Sequence, residues 1–247
     1  MIKKRQQAAK DYGITTNLDQ ALDSLGADSS AQALHLTRSL DEAIDTLGTS
    51  RAFKPPQPEE ETIEATVRPA QGREDLESVY RLVHDAYVEQ GYIEAQPDGR
   101  LLHNSDLDNI PETVVLLVEV DKHLLGTVSL TVDGQFGLPV DKDFKATCDV
   151  VRNDGRALAG VWRLVTRHGY VDERRLVMSL IGEVVRQAIE GGVQTCLCAV
   201  NTKHEHFYKR LLNMQAIAYC RAVKRFHNVP GVCMRCDVES LPEWWKR

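Results

Sequence analysis

Asn201, His204, Phe207 and Tyr208 follow directly on an alternating apolar stretch, Val193 to Val200. A phenol can hand a proton to a leaving group, and a carboxamide both donates and accepts hydrogen bonds. The segment Ala199–Met214 reads as a short helix opened at a strand end and closed before a second strand. Asn201 and Tyr208 are therefore candidates to face a substrate there. The alternative is that Phe207 and Tyr208 are an aromatic pair packed on the sheet. A second set of polar residues lies earlier in the chain. His84 and Tyr87 are three apart on a predicted helix and share a face, with Tyr92 in the turn beyond and Ser129 on a predicted hairpin. A structural hydrogen bond is the competing role for His84. Arg174 and Arg175 stand in the first turn of a long helix, where cations oppose the macrodipole. A bound anion would offset that cost, as could the neighbouring Asp172 and Glu173.

The elements that must hold these residues follow from periodicity. Thr62 to Arg68 alternates as a strand, and Arg73 to Gln90 is a helix with Leu76, Val79, Tyr80, Val83 and Tyr87 on its apolar face. Residues 91–112 form a Gly/Pro/Asn/Asp-rich loop around a possible short helix. Thr113–Val120 and Leu124–Val132 make a hairpin across Asp121-Lys122-His123. A strand covers 156–166, and a long amphipathic helix runs from Asp172 to Glu190, closed by Gly191-Gly192. Strands at 193–200, 215–224 and 231–238 complete the order.

The chain has 247 residues, enough for one full core and an appendage. No apolar run approaches the roughly 20 residues that span a bilayer. Met1-Ile2-Lys3-Lys4-Arg5 leads into a polar segment, so no signal peptide is readable. Of the six cysteines, Cys196 and Cys198 should share one strand face, whereas Cys233 and Cys236 should point to opposite faces. That pattern suits buried, reduced thiols in a cytoplasmic protein better than a zinc site. Residues 156–247 carry 15 Lys and Arg against 8 Asp and Glu, on a chain of net charge −6. A basic back half on an acidic protein suits an anionic ligand or partner, or else solvated helix faces. No basic run interleaves with aromatics, so nucleic acid is poorly supported.

Residues 1–53 read as a helical arm. Asn17-Leu18-Asp19-Gln20-Ala21-Leu22-Asp23-Ser24-Leu25-Gly26 recurs as Ser39-Leu40-Asp41-Glu42-Ala43-Ile44-Asp45-Thr46-Leu47-Gly48. Each copy has a capping residue, a Gln or Glu three later and a closing Gly. Such short helices need a surface to dock on. The repeat is either a binding element for a partner or a second subunit, or an arm lying on its own domain. Residues 54–61, rich in Pro and Glu, are a linker, and 62–247 are one domain.

Three separated segments give that domain a family resemblance. Val79 to Ile93, Gly126 to Asp133 with Phe136 to Asp141, and the Val200-Asn201, His204, Phe207-Tyr208, Leu211-Leu212 segment resemble bacterial N-acyl amino acid synthases. These are GNAT-fold acyltransferases similar to the acyl-homoserine lactone synthases. The resemblance covers about residues 62–240 and leaves the arm outside. It implies an α/β GNAT fold, a mixed twisted sheet flanked by helices. It also implies transfer of a long-chain acyl group from the pantetheine thioester of acyl carrier protein to the amine of an amino acid, with no cofactor beyond the donor. The strands at 156–166 and 193–200 would splay, and backbone groups near Leu164 and Val165 would pair with the pantetheine arm. Asn201 and Phe207 would flank that arm, and Tyr208 would protonate the departing thiolate. His84, Tyr87, Tyr92, Ser129 and Trp162 fall on the acceptor side. Arg163, expected to alternate away from Trp162, needs a carboxylate, either the protein's own or that of the acceptor.

The turn 167–175 has a single Gly, a poor cradle for the pyrophosphate of coenzyme A. Arg167, Arg174 and Arg175 suit the one phosphate of a carrier-protein arm. The pattern departs at Gly160, where the family has a Glu. Either Glu119, His84 or a bound water then supplies the base, or the acceptor differs. An acetyl-coenzyme A-dependent GNAT enzyme, or a catalytically inactive binding module, are the competing readings.

Overall fold

The computed structural model describes residues 65–246 apart from 168, 170–172, 224 and 225. The arm at 1–53 and the linker at 54–61 lie outside the described residues. In chain order the elements are β1 (Thr66–Pro69), α1 (Gly72–Glu89), β2 (Thr113–Val120), β3 (His123–Val132), α2 (Asp141–Arg152), β4 (Leu158–Thr166), α3 (Glu173–Glu190), β5 (Thr195–Asn201), α4 (Glu205–Leu212), β6 (Gln215–Val223) and β7 (Val229–Asp237). A 3-10 turn at Ser105–Leu107 is the short helix expected in the long loop. Helix α2 was not expected. Its buried residues Phe144, Cys148 and Val151 have helical spacing, but charged neighbours surround them and Phe144 itself is non-helical (φ −132°).

The seven strands form one sheet in the order β1-β2-β3-β4-β5-β7-β6. Every pairing is antiparallel except β4 with β5. The β2–β3 turn is tight because Asp121 and Lys122 both adopt positive φ (50° and 65°), the twist that closes a two-residue hairpin.

The strand period of two divides the core between the sheet's faces. Leu116, Val118, Val128, Leu130, Cys196 and Cys198 pack with Leu176, Leu180 and Val184 of α3, and Leu211 of α4 joins them. Val115, Leu117 and Val165 meet Val79, Leu82 and Val83 of α1 on the other face. There Leu158, Leu197 and Cys233 also meet the buried side of α2. Cys196 and Cys198 thus share the α3 face, while Cys233 and Cys236 fall on opposite faces. Leu176 and Leu180 are fully buried, each worth about 1.5–3 kcal/mol of transfer free energy.

Candidate active site

Two irregularities in the sheet make the site. The first is a gap. β4 and β5 pair only through Leu158–Gly160 against Thr195–Leu197, and beyond Gly160 and Leu197 they separate, although β4 continues to Thr166 and β5 to Asn201. The second is a bulge in β4. Val165 pairs with Thr127 and Trp162 with Ser129, so Arg163 and Leu164 together oppose only Val128. Arg163 takes a left-handed conformation (φ 59°), the geometry of a bulge that re-aims side chains and interrupts the ladder.

A cavity of about 240 Å³ occupies the gap, and its lining changes character across the sheet. On the α3 face it is lined by Val161, Leu164, Ile181, Val185, Cys196 and Cys198, extending to Met214, Cys236 and Leu241. On the opposite face are Tyr87, Tyr92, His103, Asn104, Trp162 and Phe226. Asn201, His204 and Tyr208 also line the cavity.

Helix ends place several of these groups. α1 closes on Gly91 (φ 67°), and the amide of Tyr92 donates to the Tyr87 carbonyl at 2.8 Å, which folds Tyr92 back on Tyr87. Their rings meet edge to face at 5.6 Å, and Tyr87 meets Phe226 the same way at 5.3 Å. Asn201 caps the turn after β5, its Oδ1 accepting from the Lys203 amide at 3.0 Å. Its Nδ2 lies 3.5 Å from the Tyr92 hydroxyl.

Tyr208 lies on α4 and lines the cavity, with its ring 5.1 Å from that of Phe207. Among the described residues its hydroxyl has no hydrogen-bond partner. Burial pushes its ionisation well above the ordinary phenol range, and Cys198, Tyr87 and Tyr92 add to the shift. It keeps its proton at any physiological pH. The same desolvation raises Cys196 to about 12 and Cys236 to about 11, so these thiols stay protonated and act as small apolar surface. His204 is pushed the other way, down to about 4, by burial and then by Lys203, and is neutral near pH 7.

Arg163 departs from expectation. The bulge breaks the alternation, so Arg163 falls on the same side as Trp162, with its guanidinium 4.2 Å from the indole centroid. Its carboxylate partner is the protein's own. Nη1 and Nη2 donate to Asp108 at 3.0 and 2.6 Å, and Ser129 Oγ accepts from Nε and Nη2. Tyr80 donates to the same Asp108 at 2.8 Å. With both side chains of the pair fully buried, the network fastens the 99–112 loop to the bulge. Arg163 also lines the cavity. Ser129, expected on the acceptor side, is part of this brace.

Other expected residues lie apart from the cavity. Glu119 accepts from Arg68 at 2.7 and 3.0 Å on the β1–β2 edge. His84 is buried, with Nε2 accepting from the Gln96 amide at 2.9 Å and Nδ1 3.0 Å from Asp85. Neither lines the cavity, so neither is positioned as its base. Phe207 packs into the α3-side core instead of lining the cavity. Val165 packs against α1, while its neighbour Leu164 lines the cavity. Arg167 and Arg175 are exposed and Arg174 half-buried near the start of α3, outside the lining. At Gly160 a Cβ would sit 3.0 Å from Pro139 Cδ and 3.4 Å from Leu138 Cδ2. The space a Glu would need is filled by those two residues.

His103 and Asn104 were not foreseen. Asn104 is buried in a left-handed conformation (φ 55°), and its Nδ2 donates to His103 Nε2 at 3.1 Å. Among the described residues its Oδ1 has no partner. The pair sits in a loop without periodicity, so only the Asn, a residue tolerant of positive φ, carried any signal.

A mixed seven-stranded sheet opened between its two parallel strands, with a cavity in the opening, defines the GNAT fold. The structure of FeeM, an N-acyl amino acid synthase from uncultured soil microbes, is similar with a TM-score of 0.63 at 22% identity, over 74% of this chain and 93% of that one. The acyl-homoserine lactone synthase LasI follows at 0.52 and 13%, over 71% and 90%. Escherichia coli ElaA gives 0.51 and 9%, over 71% and 100%. No curated protein sequence matches. The N-acyl amino acid synthase FeeM family matches residues 78–237, and the chain belongs to it. Among the described residues no helix is long and apolar enough to cross a membrane.

Proposed function

We propose that this acyltransferase moves a long-chain acyl group from the pantetheine thioester of acyl carrier protein to the amine of an amino acid. One observation carries the reading: the cavity in the gap draws its lining from both faces of the sheet, apolar against α3, and with the aromatic and hydrogen-bonding groups Tyr87, Tyr92, His103, Asn104 and Trp162 on the other. The acyl chain belongs between β5 and α3. The acceptor belongs against Trp162, Tyr92 and Asn104, and the thioester carbon belongs at the gap between them.

In the reaction the acceptor's neutral amine attacks the thioester carbonyl and a C–N bond forms. The C–S bond breaks as the departing sulfur takes the Tyr208 proton, and the proton that the nitrogen loses returns to Tyr208. With Glu119 and His84 engaged elsewhere, water is the expected carrier of that second proton, and Asn104 Oδ1 is available to accept a hydrogen bond from the amine. Backbone groups freed at Arg163 and Leu164 are suited to hold the pantetheine amides. Arg167, Arg174 and Arg175 supply positive charge near the start of α3 for the arm's phosphate. An acetyl group would leave the surface toward Met214 and Leu241 uncovered, which favours a long chain.

The test is intact-mass spectrometry after incubation with C2 to C16 acyl carrier proteins, the matching coenzyme A thioesters and pooled amino acids. Holo carrier protein appearing together with an N-acyl amino acid is expected. Preferred turnover of acetyl-coenzyme A would replace the reading with an acetyltransferase, and intact thioester throughout would remove it.

A further inference from the structure

The apolar half of the cavity is closed by a part of the chain beyond the family match, which ends at residue 237. On the α3 face β5 lines the cavity through Val200, Cys198 and Cys196, and the ladder partner of Cys196, Cys236, lines it as well. That run corresponds to roughly 13 Å of strand. Beyond Asp237 the chain leaves the sheet, with the Val238 amide donating to the Gln194 carbonyl at 2.9 Å. Val238 and Leu241 then line the cavity beneath the lower turns of α3.

This tail is fastened at several points. Ser240 Oγ donates to the Asp237 carbonyl at 2.7 Å, and Asn213 Nδ2 donates to the Ser240 carbonyl at 3.1 Å. Trp245 Nε1 donates to the Leu211 carbonyl of α4 at 2.9 Å. Its ring lies over Gly182 of α3, where an added Cβ would be 3.4 Å from Cζ3. The tail therefore bridges α3 and α4, and Leu241, only 5% exposed, projects from it into the apolar core.

We propose that Leu241 is the end stop of the acyl site and that the tail at 238–246 sets the longest chain accepted. This rests on the acyl-transfer reading above. A rigid apolar wall discriminates by methylene count, because an extra CH₂ has nowhere to go and a missing one leaves a void, each worth roughly 10- to 200-fold in kcat/KM. A tail held to α3 by Trp245 and to α4 through Leu211 is fixed enough to act in this way.

The experiment measures kcat/KM for carrier protein loaded with saturated chains from C6 to C16, for the full-length protein and for Leu241→Ala and Leu241→Phe. Leu241→Ala should move the optimum to chains about two carbons longer, changing the long-to-short ratio by about 100-fold. Leu241→Phe should move it the other way. Leu241→Val, which removes one carbon, gives a smaller shift in the Ala direction and serves if the Ala variant does not fold. Loss of stability alone lowers every rate without moving the ratio. A folded variant with an unchanged profile would overturn the end-stop assignment while leaving acyl transfer intact. A native protein that turns over no long-chain donor would overturn both.

Discussion

At the scale of single residues, the site depends on groups whose surroundings fix their protonation. Burial keeps Tyr208 protonated, so its hydroxyl can hydrogen-bond the developing thiolate, and it gives up its proton only if that proton is replaced in the same step. Tyr208→Phe should therefore lower kcat by about 100-fold with little change in KM, the usual weight of a positioned general acid. An unchanged kcat in steady-state assays would reduce Tyr208 to packing with Phe207. His204 gives a pH test. Its folded pKa, about 4, lies below the ordinary 6.5, so the unfolded chain binds a proton first as pH falls. The stability this lends is complete above pH 6.5 and is lost on descending toward pH 4. Denaturant titrations of His204→Gln should show a flatter stability profile over that window. Arg163 is legible in sequence only as a cation in a strand. That it pairs with Asp108 depends on a bulge and on a contact 55 residues away, which no local pattern carries. Arg163→Ala should destabilise the protein by about 3–5 kcal/mol, because Asp108 is left buried and unpaired. Removing Asp108 as well should recover part of that loss in chemical denaturation.

Among the elements, those with strong periodicity were legible and the special ones were not. α1, α3 and the β2–β3 hairpin fall within a residue or two of their expected bounds, the helices because each has one buried face and a clear terminator, the hairpin because two apolar runs flank a tight polar turn. α2 escaped notice, although Phe144, Cys148 and Val151 are spaced i, i+4, i+7, since its other positions are largely charged or small. It is tied down by Arg152, which donates to Asp133 and Asp141 at 2.7–2.9 Å. The Gly160 departure is likewise explained by an element. The Leu138-Pro139 segment leading into α2 packs over it, so the missing Glu leaves no hole. Gly160→Glu should cost about 1–3 kcal/mol through overpacking and should not raise kcat, as melting curves and turnover would show. The gap between β4 and β5 was expected from the family resemblance. The His103-Asn104 pair was not, because it comes from a long aperiodic loop.

For the whole molecule, the family match, the sheet and the cavity all fall after residue 64. A protein lacking residues 1–61 should keep its kcat/KM for acyl transfer, and a large loss would assign the arm a part in catalysis or donor docking. The central claim is geometric: the acyl chain occupies one face of the sheet and the amino acid the other, joined through the gap. A crystal structure with a bound N-dodecanoyl amino acid tests this most directly. The account predicts the chain between β5 and α3, running toward Leu241, the amide beside Tyr208 and the bulge, and the amino acid against Trp162 and Asn104. Both halves of the ligand on one face, or a ligand outside the gap, would contradict it.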